Sequence, residues 1–170
     1  FDSKLLDLGI ENAKNKVIDQ LNDYDFQCIY SSPYIRCLET LQPYISKHKI
    51  QINIDYNLCE NFENIKNKTR LFRELTNKEK VLYNVNIIQT DIVYDISSRI
   101  NNFIDYLNKN HDETDNILIC THESLIKEFL KQKMGYYYGY HEMGKIYKVI
   151  DNKHIYKPII VLFPYLYYFV

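Results

Sequence analysis

The sequence predicts an α/β domain with a mainly parallel sheet. Short apolar runs alternate with longer stretches whose apolar residues repeat at helical spacing. One run, Ile117-Leu118-Ile119-Cys120, is apolar at every position, the pattern of a strand covered on both faces. Two of the runs pass directly into polar motifs that open a helix, at Ser31-Ser32-Pro33 and at Thr121-His122. Strand–helix alternation calls for right-handed crossovers, which place such motifs together at the carboxyl edge of the sheet, where ligands bind.

Ile10, Ala13, Val17, Ile18 and Leu21 mark a first helix, with Gly9 at its start. Phe26 to Tyr30 reads as a short buried strand ending at the Ser-Ser-Pro turn. Ile35, Leu38, Leu41 and Ile45 form the next helical stripe; Pro43 within it predicts a kink or an early stop. Ile50, Ile52 and Ile54 alternate with polar residues, as in a strand with one wetter face. Residues 61–95 mix Asn, Lys and Glu with scattered apolar residues and are expected to form an excursion over the site. Lys66, Arg70 and Arg73 could reach substrate from it, although a solvated face accounts for each as well. Ile96, Ile100, Phe103, Ile104 and Leu107 predict a helix, Ile117 to Cys120 a strand, and Leu125, Ile126, Phe129 and Leu130 the helix behind it. The apolar, aromatic stretch from Ile159 to Val170 is broken by Pro164 and falls short of the ~20 residues that span a bilayer. It is expected to be a terminal strand or packing segment.

At 170 residues, with 46% hydrophobic and 25% charged residues, the chain fits one domain with its own core. A net charge of -1 gives no reason to expect nucleic acid as a partner. Cys28, Cys37, Cys59 and Cys120 show no C-x-x-C pairing and lie within or beside apolar runs, so buried reduced thiols and a cytoplasmic setting are expected. The histidines and cysteines show no zinc spacing, and no metal or cofactor is expected.

Arg36 falls in the first turn of a helix, beside the Ser-Ser-Pro turn. Free backbone N–H groups and a guanidinium fork make that an anion site. His122 follows a buried strand and opens a helix, so its ring can face the same anion. Each residue alone fits a blander role: a surface arginine, or a histidine packed at a strand end.

The motifs together resemble those of the histidine phosphatase (phosphoglycerate mutase-like) superfamily. Ser31 to Thr40 meets the pattern S-S-P-x-x-R-C-x-x-T, with Arg36 at the phosphate-binding arginine. Leu58-Cys59-Glu60 meets L-x-E, the motif of the general acid, and Thr121-His122 meets the late T-H motif. Asp2-Ser3-Lys4-Leu5 to Ala13 is similar to the family's D-x-P-L-T-x-x-G-x-x-Q-A stretch. The wording from Asp55 to Glu60 is similar to the branch containing the suppressors of T-cell-receptor signalling.

The resemblance implies a three-layer αβα fold with a mainly parallel central sheet, and a phosphomonoester hydrolase working through a phosphohistidine. Arg36 and His122 would bind phosphate, and Glu60 and His122 would be catalytic. The substrate would be a phosphorylated small molecule or phosphoprotein, with no membrane partner expected. The short stretch from Glu60 to His122 favours phosphatase over mutase, because the mutases carry a long insertion there. The family's nucleophile is the histidine of an R-H-G tripeptide on a strand preceding the D-x-P-L-T stretch, and no R-H-G occurs in this sequence. The first strand is therefore expected to be missing, residues 1–170 being one N-terminally truncated domain without its nucleophile. A pseudophosphatase that binds a phospholigand or protein is the alternative. An interior strand left out should leave a gap, or two strands that pair poorly, beside Phe26–Tyr30 and Ile117–Thr121. Glu123 departs from the small residue the family places after its late histidine, and is expected to point outward. Thr121, Ser124, Ser31 and Ser32 could add hydroxyl contacts or only build the turns. The sequence assigns no substrate identity and no oligomeric state.

Overall fold

The computed structural model describes residues 3–60, 74–88, 95–112, 114–134, 146–149 and 159–162. The first helical region comprises α1 (Asp7–Asn12), a π-helical turn (Ala13–Val17) and α2 (Ile18–Leu21). It starts ahead of Gly9, with Asp7 in the first turn complementing the helix dipole. The Leu5 N–H donates to Glu39 Oε2 at 2.6 Å, tying this region to the following helix layer.

β1 (Cys28–Ser31) leads into α3 (Ile35–His48). Pro43 does not stop α3: the helix runs on past it to a left-handed cap at Lys49 (φ 57°). Leu38, Leu41, Tyr44 and Ile45 are buried against the sheet on both sides of Pro43 in sequence, and their burial outweighs one lost backbone bond. β2 (Ile52–Ile54) is followed by a 3-10 turn (Tyr56–Leu58).

Part of the expected excursion is regular structure. α4 (Asn77–Leu82) opens with a Thr76/Glu79 capping box, and β3 (Val85–Ile87) joins the sheet beside β2. Lys66, Arg70 and Arg73 lie outside the described residues. α5 (Ile96–Asn110) is capped by Asp95, whose side chain accepts from the Ser98 N–H at 2.7 Å. β4 (Ile117–Cys120), α6 (Glu123–Met134), β5 (Ile146–Val149) and β6 (Ile159–Leu162) complete the order.

The six-stranded sheet has the order β3-β2-β1-β4-β6-β5, parallel throughout except for β5 against β6. Its period-two alternation sorts the core into two layers. Ile29, Leu118 and Cys120 face Val17, Leu21, Leu38 and Leu41 of α2, α3 and the π-turn. Tyr30, Ile117 and Ile119 face Ile100, Phe103 and Leu107 of α5 and Leu125, Ile126 and Phe129 of α6. The result is a three-layer αβα arrangement.

The expected gap beside β1 and β4 is a correction. These strands pair directly, Cys28 to Ser31 against Ile117 to Cys120, and β6 takes the other side of β4. Buried backbone groups demand partners, and here each central strand finds one on both sides. The apolar terminal stretch contributes β6; residues 163–170 lie outside the described residues.

Candidate functional site

The Ser32 N–H donates to the Cys120 carbonyl at 3.0 Å, extending the β1–β4 pairing past the strand ends. This brings the Ser32-Pro33-Tyr34 turn and the start of α3 beside Thr121-His122. Arg36, the second residue of α3, is buried, with its guanidinium over the Tyr34 ring at 4.7 Å. Its Nη2 donates to His122 Nδ1 at 2.9 Å and lies 3.5 Å from Glu60 Oε2.

His122 stands where β4 ends and α6 begins, its carbonyl accepting from Leu125 and Ile126. An arginine can only donate, so Nδ1 carries a lone pair and the ring proton sits on Nε2. That proton points at Ser32 Oγ, 2.8 Å away. Tyr34 packs edge-on against the imidazole at 5.1 Å. Burial, followed by the charges of Arg36 and Arg99, holds the His122 pKa well below the ordinary histidine value, so the ring is neutral in this state.

Glu60 is half-buried, its side chain 24% exposed, and forms the wet side of the cluster. Oε2 lies 3.3 Å from His122 Nδ1, and Oε1 accepts from the Ser124 hydroxyl. A 3-10 turn leads into Glu60, with the Asp55 side chain accepting from the Asn57 N–H at 2.8 Å. Two further bonds hold the backbone just before Glu60. The Thr121 hydroxyl donates to the Leu58 carbonyl at 2.7 Å, and Arg99 Nη1 donates to the Cys59 carbonyl at 2.8 Å.

The structure thus brings Arg36, Glu60 and His122 together at the carboxyl ends of β1, β2 and β4. Ser31 and Ser32 are buried in the turn, Ser31 Oγ donating to the Ser32 carbonyl. Glu123 pairs with Lys127 one helical turn on. His48 bonds Asn22, and His111 lies between Tyr30 and Asp115; neither touches the cluster. His141 and His154 fall outside the described residues. Among the described residues no group of His, Cys, Asp or Glu is placed to hold a metal ion, and no helix is long and apolar enough to cross a membrane. All four cysteines are free; Cys37, Cys59 and Cys120 are buried and Cys28 half-buried.

Arg99 and Tyr34 escaped the sequence reading. Arg99 had a visible signal: a charge set among Ile96, Ile100 and Phe103 of an apolar helical stripe. Tyr34 had none: it stands at the N-cap of α3 without making a side-chain capping bond.

Chemically, the cluster sets one arginine cation and a neutral imidazole against a half-buried carboxyl group, a combination that can bind an anion and exchange a proton with it.

A family profile described as "Histidine phosphatase superfamily (branch 1)" matches residues 1–149. No curated protein sequence matches the chain. Among solved structures, the fold is similar to that of the ecdysone phosphate phosphatase, EPPase, from Bombix mori in complex with tungstate, at a TM-score of 0.55 and 15% identity. The match covers 91% of this chain and 66% of that one, so the chain spans just under two thirds of that structure's length.

Proposed function

The chain belongs to the histidine phosphatase superfamily, branch 1, and from that premise we propose that it is the phosphate-binding and proton-donating part of a phosphomonoester hydrolase. The observation that carries this reading is the meeting of Arg36, Glu60 and His122 around one seat, within 3.5 Å of one another. Arg36 grips phosphate oxygens with its planar fork, and His122 adds a second contact that becomes cationic when a dianion lies against it. Glu60 is the acid.

The nucleophile in this scheme is a histidine of an R-H-G strand. Its ring nitrogen attacks phosphorus in line, forming the P–N bond as the P–O bond to the leaving group breaks. The leaving oxygen departs with the bonding pair and takes the proton of Glu60. Water then attacks the phosphohistidine, giving its proton to the Glu60 carboxylate; phosphate and free histidine result. The substrate is a phosphorylated small molecule or a phosphoprotein, and the free thiols suit a cytoplasmic setting.

A non-catalytic phospholigand- or protein-binding domain is the second reading, favoured by the absence of R-H-G from the sequence. The codons immediately upstream of Phe1, together with turnover of phenyl phosphate by the full gene product, decide between them. In-frame R-H-G and turnover inhibited by vanadate are expected. An initiator codon close upstream without R-H-G, and no turnover, would overturn the hydrolase and leave the binding domain.

A further inference from the structure

Arg99 projects from α5 into the interior and is 3% exposed. Its guanidinium forms no ion pair among the described residues, and its Nε is buried without a hydrogen-bond partner. A buried cation so thinly compensated is costly, and a core position could take a methionine or leucine at less expense. Burial pulls its pKa below the usual arginine value, while the nearby Glu60 carboxylate acts the other way. The one hydrogen bond its guanidinium makes among the described residues is therefore informative. Nη1 donates to the carbonyl of Cys59, the peptide group that joins Cys59 to Glu60.

We infer that Arg99 is a positioning residue for Glu60: by pinning the Cys59 carbonyl it sets where the Glu60 carboxyl stands against the anion seat. The inference rests on the reading of Glu60 as proton donor. Geometry supports the division of labour. Thr121, just past the end of β4, holds the Leu58 carbonyl, and Arg99 holds the Cys59 carbonyl from α5, so the sheet edge and one helix layer each fix one peptide of the acid loop. Ser124 then orients the carboxyl from α6. Arg99 needs no contact with phosphate to do this.

The test has two arms. In the chain as it stands, hydrogen exchange of the amides of Leu58 and Cys59 is compared between wild type, Arg99→Met and Arg99→Lys, with tungstate binding measured by calorimetry. Arg99→Met should speed those amides by ~10-fold or more relative to the β4 amides, and change tungstate affinity by less than about threefold, because Arg36 and His122 remain. Arg99→Lys, which keeps a charge and a donor, should recover much of the protection. Unchanged exchange at Leu58 and Cys59, or exchange raised equally across β4, would overturn the inference.

In the full gene product, kcat/KM, which covers only the steps up to departure of the leaving group, is compared for p-nitrophenyl phosphate, whose leaving group needs no proton, and for an alkyl phosphate, whose leaving group does. Arg99→Met should lower kcat/KM for the alkyl ester by ~10–100-fold, and for the nitrophenyl ester by under threefold. Equal losses for both esters would reduce Arg99 to a structural residue. Absence of turnover in wild type would sink the hydrolase reading instead, and the exchange arm would still decide whether Arg99 holds the loop.

Discussion

Arg36 Nη2 donates to His122 Nδ1 across 2.9 Å, a bond that joins the start of α3 to the end of β4. It places a permanent cation against a neutral imidazole, and both face the same half-buried carboxylate. The pair has a lopsided response to charge. Without an anion, Arg36 discourages protonation of His122; with a dianion seated on Arg36, that penalty is offset and the ring can take a proton.

Arg36→Ala should abolish measurable tungstate or vanadate binding and, in the full gene product, cost ~3–4 kcal/mol of transition-state stabilisation, as the loss of one preorganised oxyanion contact does. Arg36→Lys should restore only part, because an ammonium cannot grip two oxygens in a plane. Calorimetric titration with tungstate reads both variants, and wild-type affinity in Arg36→Ala would remove the arginine from the site. The 170-residue chain itself should show no aryl phosphatase activity above background, since no R-H-G histidine is present.

His122 predicts a pH dependence of stability. Its folded pKa lies below the unfolded value of about 6.5, so the unfolded chain binds this proton first as pH falls. The contribution is fully present above pH ~6.5 and is lost progressively below it, with a slope of at most ~1.4 kcal/mol per pH unit for one proton. Urea unfolding between pH 7.5 and 5 should show this loss in wild type and a flatter profile in His122→Gln. Saturating tungstate should reduce the wild-type slope, because a bound dianion favours the protonated ring.

Much of this site can be read from the residues in order, for a physical reason. A parallel α/β sheet sends every strand's carboxyl end to one edge, so Arg36 and His122, each just past such an end, had to meet if the strands were neighbours. The details that failed to show are tertiary. Pro43 reads as a breaker because local propensity ignores the buried stripe of Leu38, Leu41 and Tyr44 that carries α3 past it. The pairing of β1 with β4 is a choice among strands that no periodicity encodes. Arg99 reaches Cys59 across 40 residues of chain, and only the fold can bring them together.

Pro43→Ala should stabilise the fold by about 1–3 kcal/mol, by restoring one helical hydrogen bond and removing a ring from the interior of α3. The residue is half-buried, so the smaller side chain opens little cavity. Thermal unfolding measures it directly. A lower melting temperature would mean that the proline ring's packing, or its restriction of the unfolded chain, is worth more than the missing bond.

Glu60→Gln separates the acid from the seat. The amide keeps the size of the side chain and can still accept from the Ser124 hydroxyl, so the loop should stay where it is. It removes the negative charge now lying 3.5 Å from Arg36 and 3.3 Å from His122, and with it the repulsion an incoming dianion would meet. Tungstate should therefore bind Glu60→Gln at least as tightly as wild type. On the reading of Glu60 as proton donor, turnover in the full gene product should fall by ~10²-fold or more for an ester with a poor leaving group. The opposite pattern is expected of Arg36→Ala, which loses binding first. Measured side by side, equal loss of tungstate binding in both variants, or full activity in Glu60→Gln, would show that the acid lies elsewhere.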